Sequence, residues 1–409
     1  MMRRAVRAGL RVVSVVAFLA VLPGCTGADR GSGDGERPAT DAARSGDGAT
    51  SGSGDGATSG SGDGVPRLTP ATTLDQPVDA ASREGDAAVY VVERVGRIVR
   101  LVGPAWAPEP GPPALDVSDL VSAGGERGLL GLAFSLDGTT AFVNYTGRDG
   151  DTVVASLAVG ADGRLDSVTL RTLLTVAQPY RNHNAGDLVV GSDGALYVPT
   201  GDGGSVGDPE RLALDPRSPL GKVLRVDPAT GAVREIARGL RNPWRVDLYD
   251  GDLWLADVGQ DEWEEVSVLR DLVGSAARVG AGEAPQSFGW SAWEGPARYH
   301  DDEPADGHVA PVHAYRHGDD GCSISGGAVA PATLVSGDAP EDGTGAPSRL
   351  AGRFVFGDYC SGRIWSLDPA RPEAGARLEL DGVDQLVAIV RAGGALWVLS
   401  LGGAVARLA

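Results

Sequence analysis

Between residues 88 and 408 one pattern returns six times: a short apolar run, a glycine or acidic turn, and a second run of similar form. The copies are AVYVVERVGRIVRL (88–101), TAFVNYTGRDGDTVVASL (140–157), ALYVPTGDGG (195–204) continued by GKVLRV (221–226), DLWLADVGQDEWEEVSVL (252–269), RFVFGDYCSGRIWSL (353–367) and ALWVLSLGGAVARL (395–408). A strand pair cannot bury its apolar face alone, so like pairs must stack on one another. Six of them, with further strands between, predict an all-β chain folded as a six-bladed β-propeller. A β-sandwich also contains many short strands, but it does not account for the likeness of GRIVRL, GKVLRV and GRIWSL. The spacing is even over the first four copies and stretches before the fifth, where an insertion (about 271–321) intervenes. Propeller loops gather around a central channel, and function is expected there.

Composition agrees with this architecture. Glycine contributes 61 of 409 residues and apolar residues 42%, enough for a sizeable core with a turn every few residues. The formal charge of −19 argues against nucleic acid as a partner, because phosphate binding calls for a basic face. The plainer meaning of the acidity is solubility.

The first 64 residues read differently. Arg3, Arg4, Arg7 and Arg11 precede an apolar run (12–22) too short to span a bilayer comfortably. LPGC (22–25) resembles a bacterial lipoprotein signal, which implies that residues 1–25 end at a diacylated Cys25. The protein is then expected to be exported and lipid-anchored to the outer face of the cell membrane; the alternative is ordinary secretory cleavage. Residues 26–64 repeat SGDGATSG in tandem and form an expected disordered tether with a mean reach of roughly 35 Å. Residues 65–409 form the folded domain. Of three cysteines, Cys322 and Cys360 remain once Cys25 is assigned to lipid. An even pair in an oxidising compartment predicts a disulfide, the other reading being two free buried thiols.

Function concentrates in ordered motifs. They are GGERGLLGLAF (124–134), HNAGDLVVGSDGALYVPTGDGG (183–204), GKVLRVDP (221–228), GLRNPWRVDL (239–248), DLWLADVGQDEWEEV (252–266), FGWSAWEG (288–295), CSISGG (322–327) and FVFGDYCSGRIWSL (354–367). In this order they resemble the soluble sugar dehydrogenases that depend on pyrroloquinoline quinone (PQQ), the glucose/sorbosone dehydrogenase family, over most of residues 70–409. The family fold is itself a six-bladed propeller.

The resemblance implies roles by position. His183 matches the general base and Asp202 the carboxylate that orients it. Alcohol oxidation removes a hydride and a proton, and a neutral imidazole steadied by a carboxylate suits the proton. The alternative is a histidine capping a turn. Arg241 and Asn242 match contacts to PQQ, with Arg241 stabilising charge on the quinone. Gly259 and Gln260 match the backbone carbonyls that hold Ca2+, a Lewis acid bridging protein and cofactor. Glu126 stands where the family has a glutamine near the substrate, and Arg363 is expected to help neutralise the three PQQ carboxylates. Pro331 falls where many relatives carry a basic residue after CSISGG, and Lys222, the only lysine in the chain, lies elsewhere. His300, His308, His313 and His317 share an acidic stretch, which reads as a metal site or, more plainly, a solvated loop.

The resulting expectation is an enzyme that oxidises an aldose at C1 to the lactone and passes electrons to an unidentified acceptor. Two alternatives stand beside it. One is a non-catalytic binding propeller like the hedgehog-interacting relatives. The other is a propeller lactonase whose calcium binds side-chain carboxylates.

Overall fold

The structure, a computed structural model, describes residues 66–304, 306–336 and 346–409. The expected signal segment, Cys25 and the tether lie outside the described residues. Six four- to five-stranded sheets, antiparallel apart from one added strand, surround a central channel, and the chain is a six-bladed β-propeller. Each of the six sequence repeats supplies the second and third strands of one blade. They pair in register, for example Val91 with Val99 in blade 1 and Leu255 with Ser267 in blade 4.

The innermost strands are Pro77–Ser82, Leu129–Phe134, Val189–Val190, Pro243–Tyr249, Ile324–Val329 and Leu386–Ala392. Leu68–Thr73, from the start of the described chain, closes the ring as the outer strand of blade 6, pairing antiparallel with Ala404–Leu408. That pairing removes the open edge that a sixth three-stranded blade would expose. Apolar residues such as Val89, Leu129, Ala141 and Trp397 fill the spaces between blades. Inner-strand aspartates add hydrogen bonds from blade to blade. Asp79 accepts from the Leu132 amide, Asp187 from Val246 and Asp247 from Val329.

The insertion after the fourth repeat is ordered rather than one long loop. It holds a helix (Leu272–Gly280), a short strand that joins blade 3 in parallel (Gln286–Ser287), and His313–Arg316, the outer strand of blade 4. Its histidines are separated. His300 Nε2 lies 2.7 Å from the Gly207 carbonyl, His308 stacks on Trp293, His313 packs beside Phe356, and His317 Nε2 meets Glu264 Oε1 at 2.6 Å. They make neither a metal site nor a simple solvated loop. Among the described residues no three His, Cys, Asp or Glu side chains come together as a metal-holding group.

The His317–Glu264 pair carries a pH prediction. The hydrogen bond to Glu264 raises the His317 pKa against an opposing effect of burial. Burial pushes Glu264 up in turn, but the ring, 21% exposed against none of the carboxylate, is the partner that solvent protons reach, so it sets the sign. A raised folded pKa stabilises the fold below the unfolded value near 6.5 and ceases to do so as pH rises through the folded value. The wild type is therefore expected to exceed His317→Gln in urea stability by about 1 kcal/mol near pH 6, with the gap narrowing by pH 9. A gap that widens with pH would refute the pairing.

Candidate active site

All six inner strands begin at the same end of the channel, and the second strands of the blades end there. The loops before the inner strands and after the second strands therefore surround one opening. A cavity of about 590 Å³ occupies it, and His183, Glu126, Arg241, Asn242, Gly259 and Gln260 all line it. Residues far apart in the chain thus meet, as in the bond from Asn242 Nδ2 to Glu126 Oε2, across 116 positions, and that from Trp244 Nε1 to the Val387 carbonyl, across 143.

His183 and Asp202 form the pair expected from the sequence. Nδ1 lies 2.7 Å from Asp202 Oδ1. Asp202 also accepts the Gly204 amide at 2.8 Å and Trp290 Nε1 at 2.8 Å. With three donors converging on one buried carboxylate, the shared proton belongs on His183 Nδ1, which leaves the Nε2 lone pair free. No protein group among the described residues bonds Nε2. The approach is tight: a Cβ on Gly201 would sit 1.9 Å from the His183 carbonyl oxygen, so glycine is required before Asp202.

The histidine sits in a strained turn. His183 and Ala185 have φ of 58° and 48°, the left-handed region that few non-glycine residues adopt. Glu126 and Asn242 hold it there. Glu126 Oε2 accepts the His183 amide at 2.6 Å, the Asn184 amide at 3.3 Å and Asn242 Nδ2 at 3.2 Å, while Asn242 Oδ1 accepts the Ala185 amide at 3.0 Å. One oxygen of Glu126 is thus committed to the turn, a role the sequence did not suggest. Asn242 serves the same turn.

Arg241 is buried. Its Nη1 donates to the Val258 carbonyl at 2.9 Å, and Nε and Nη2 donate to Gln260 Oε1 at 3.3 and 3.1 Å. The amides of Arg241 and Asn242 bond to Asp257, whose pKa burial pushes up to about 7 against these bonds. The Gly259 amide donates to Glu264, and the Gln260–Trp263 amides donate to Glu294 Oε1. Neither carboxylate lines the cavity. The Gly259 and Gln260 carbonyl oxygens accept no hydrogen bond among the described residues.

Two expected features fall elsewhere. Arg363 is absent from the cavity wall and pairs with Asp320 at 2.6 Å; a turn residue beside a motif cysteine need not face the channel. Ser325 opens onto the cavity, whereas Gly327 and Ala328 of the same inner strand line a cleft at the far end of the channel. Pro331 lies beyond them, so a basic residue there would not reach the cavity. Lys222 is fully buried in blade 3, its ammonium bonded to the Leu212, Ala213 and Leu220 carbonyls.

Cys322 and Cys360 form the expected disulfide, with Cys322 on the cavity wall. Sequence reasoning missed Arg94, Tyr359, Ser325 and Trp290. The signal for the first two was present. Arg94 and Tyr359 occupy the turn between the two strands of their repeats, the same place that yields Asp202 and Gly259 in others.

Residues 74–271 match the family model Glucose / Sorbosone dehydrogenase. The HIPL1 protein of Arabidopsis thaliana is 26% identical over 237 residues, 48% of this chain and 31% of that protein. The hedgehog-interacting protein of Mus musculus is 33% identical over 176 residues, 38% of this chain and 24% of that protein. The chain thus spans less than a third of the length of these curated relatives. Among solved structures, the PQQ-bound form of the aldose sugar dehydrogenase from Streptomyces coelicolor superposes with a TM-score of 0.64. It is 21% identical, over 85% of this chain and 98% of that one. The apo-form of the soluble aldose sugar dehydrogenase from Escherichia coli gives 0.62 at 17% identity, over 84% and 99%. These likenesses show a shared propeller fold. The family match spans the first four blades and the motifs gather at one channel mouth, so over that part of its length the chain is similar to the glucose/sorbosone dehydrogenase family.

Proposed function

We propose that the protein is a PQQ- and calcium-dependent oxidoreductase that oxidises an aldose at C1 to the lactone. The observation that carries this reading is the His183–Asp202 pair, with the free Nε2 in a concave site beside Arg241. The wall suits the cofactor. Arg241 presents a cation, Ser325 Oγ is buried with no hydrogen-bond partner among the described residues, and the Gly259 and Gln260 carbonyls are open to a hard cation. When bound, PQQ supplies the hydride acceptor and calcium polarises it.

The chain's own residues do the rest. His183 Nε2 takes the proton of the C1 hydroxyl as the C1 hydrogen leaves with its electron pair. Asp202 holds the ring in the Nδ1–H tautomer and steadies the imidazolium that forms. Glu126 and Asn242 fix the turn that aims the ring, and Arg241 favours negative charge developing nearby.

Purified protein titrated with PQQ and calcium is expected to give saturable quenching of tryptophan fluorescence and aldose-dependent reduction of a dye acceptor. Arg241→Ala should weaken PQQ binding by about 10- to 100-fold, the loss of a charge-assisted bond in a partly buried site. If wild type binds no PQQ with calcium in excess, a binding propeller becomes the better reading. The similarity to hedgehog-interacting protein and the carboxylate of Glu126 in an anion-binding wall favour that second reading. The lactonase alternative has no cluster of side-chain carboxylates to support it among the described residues.

A further inference from the structure

Arg94 and Arg241 are built alike. Arg94 lies in the turn between Val89–Glu93 and Arg97–Val102 of blade 1, Arg241 just before the inner strand of blade 4, and both line the cavity. In each, Nε and Nη2 donate to one glutamine oxygen, Gln76 Oε1 for Arg94 and Gln260 Oε1 for Arg241. In each, Nη1 donates to a backbone carbonyl, Gly125 for Arg94 and Val258 for Arg241. Three of five N–H donors are used, leaving one on each terminal nitrogen.

All of these acceptors are neutral. Among the described residues no carboxylate comes within ion-pair distance of either guanidinium, Asp75 and Asp257 acting on Arg94 and Arg241 only at longer range, in a chain with 55 acidic against 36 basic residues. Elsewhere arginines such as Arg100, Arg225 and Arg349 are matched with carboxylates. A cation in a concave wall with no carboxylate at ion-pair distance attracts an anion, and a guanidinium prefers a carboxylate. Arg94 is also fixed in place. Gly128 lets it pass, since a Cβ there would lie 2.3 Å from Arg94 Cγ, and Gln76 holds the head group from a left-handed turn with φ of 54°.

We propose that Arg94 is a second carboxylate clamp for the cofactor, supplying from blade 1 the charge that Pro331 and Arg363 do not bring to the cavity. The inference rests on the proposed PQQ dependence and assigns a residue to it. Two guanidiniums on separate blades suit a ligand with several carboxylates, and they offset the charge that Glu126 adds to the same wall.

The test is equilibrium titration of apo protein with PQQ at fixed calcium, read by tryptophan fluorescence and independent of turnover. Arg94→Met is expected to raise the Kd by about 10- to 100-fold and to flatten its dependence on salt. Circular dichroism checks the fold. Should Arg94→Met not fold, Arg94→Lys decides, with an expected loss of about tenfold because a point charge replaces the fork. Wild-type binding with unchanged affinity in the folded variant overturns the assignment of Arg94 and leaves PQQ dependence standing. Absence of PQQ binding by the wild type overturns both.

Discussion

Replacing His183 with alanine is expected to lower kcat by about 100- to 10,000-fold, the usual contribution of a positioned general base, while PQQ still binds. The two effects separate because the cofactor contacts proposed here lie on Arg241, Arg94 and the 259–260 carbonyls. His183 meets the hydroxyl proton instead. The Glu126 bonds to the turn run to backbone amides, so truncating the ring leaves them in place. Asp202→Asn is not a mild change in this setting. The carboxylate accepts from His183 Nδ1 and Gly204 on one oxygen and from Trp290 on the other. An amide must turn its NH2 toward one of these donors. Facing His183, it also meets the Gly204 amide and forces the ring into the wrong tautomer. Facing Trp290, it leaves two N–H groups opposed in a buried site. A fall in kcat of at least tenfold is expected either way, with Asp202→Ala worse. Steady-state assays with a dye acceptor, run beside PQQ titrations, check both. Wild-type turnover in His183→Ala would remove the histidine from the mechanism.

The propeller was legible because its repeat is local: each copy is a strand pair whose two halves are neighbours in the chain. The blade edges were less so. Val189–Val190 is a two-residue inner strand because the chain beside it is spent on the His183–Ala185 turn. His313–Arg316 was hidden in an insertion with little periodicity. The His183–Asp202 pair could be read from motif order, since both sit in loops of one blade. The Glu126–Asn242 bond could not, as it joins blades 2 and 4 and depends on how the ring closes. Arg363 misled for the opposite reason. Its place in the CSGRIW stretch led to the expectation that it helps neutralise PQQ, yet the side chain turns to Asp320.

Asp358→Ala is expected to destabilise the fold by about 4–5 kcal/mol, at the top of the range for one substitution. This fully buried carboxylate is the hub of the disulfide wall. Its Oδ2 accepts the Cys322 and Ser323 amides and the Tyr315 hydroxyl, at 3.0, 2.8 and 2.8 Å. Its Oδ1 accepts the Cys360 and Ser361 amides and the Ser361 hydroxyl, at 2.8, 2.9 and 3.3 Å. Alanine would strand four backbone N–H groups, each costing about 1–3 kcal/mol if dry and less where water enters the space left. Removing the disulfide by Cys322→Ser with Cys360→Ser acts on the same loops. It should cost about 3–4 kcal/mol for the loop it closes. Because both changes release one wall, the triple variant is expected to lose less than the sum. Cys322, Ser323 and Tyr359 face the cavity from these loops, and Ser325 from the strand that follows, so Asp358→Ala should also weaken PQQ binding without touching His183. Urea unfolding and PQQ titration measure the two consequences. A loss of under about 1 kcal/mol would mean that the loops hold their shape without the carboxylate, and that the disulfide alone sets this side of the site.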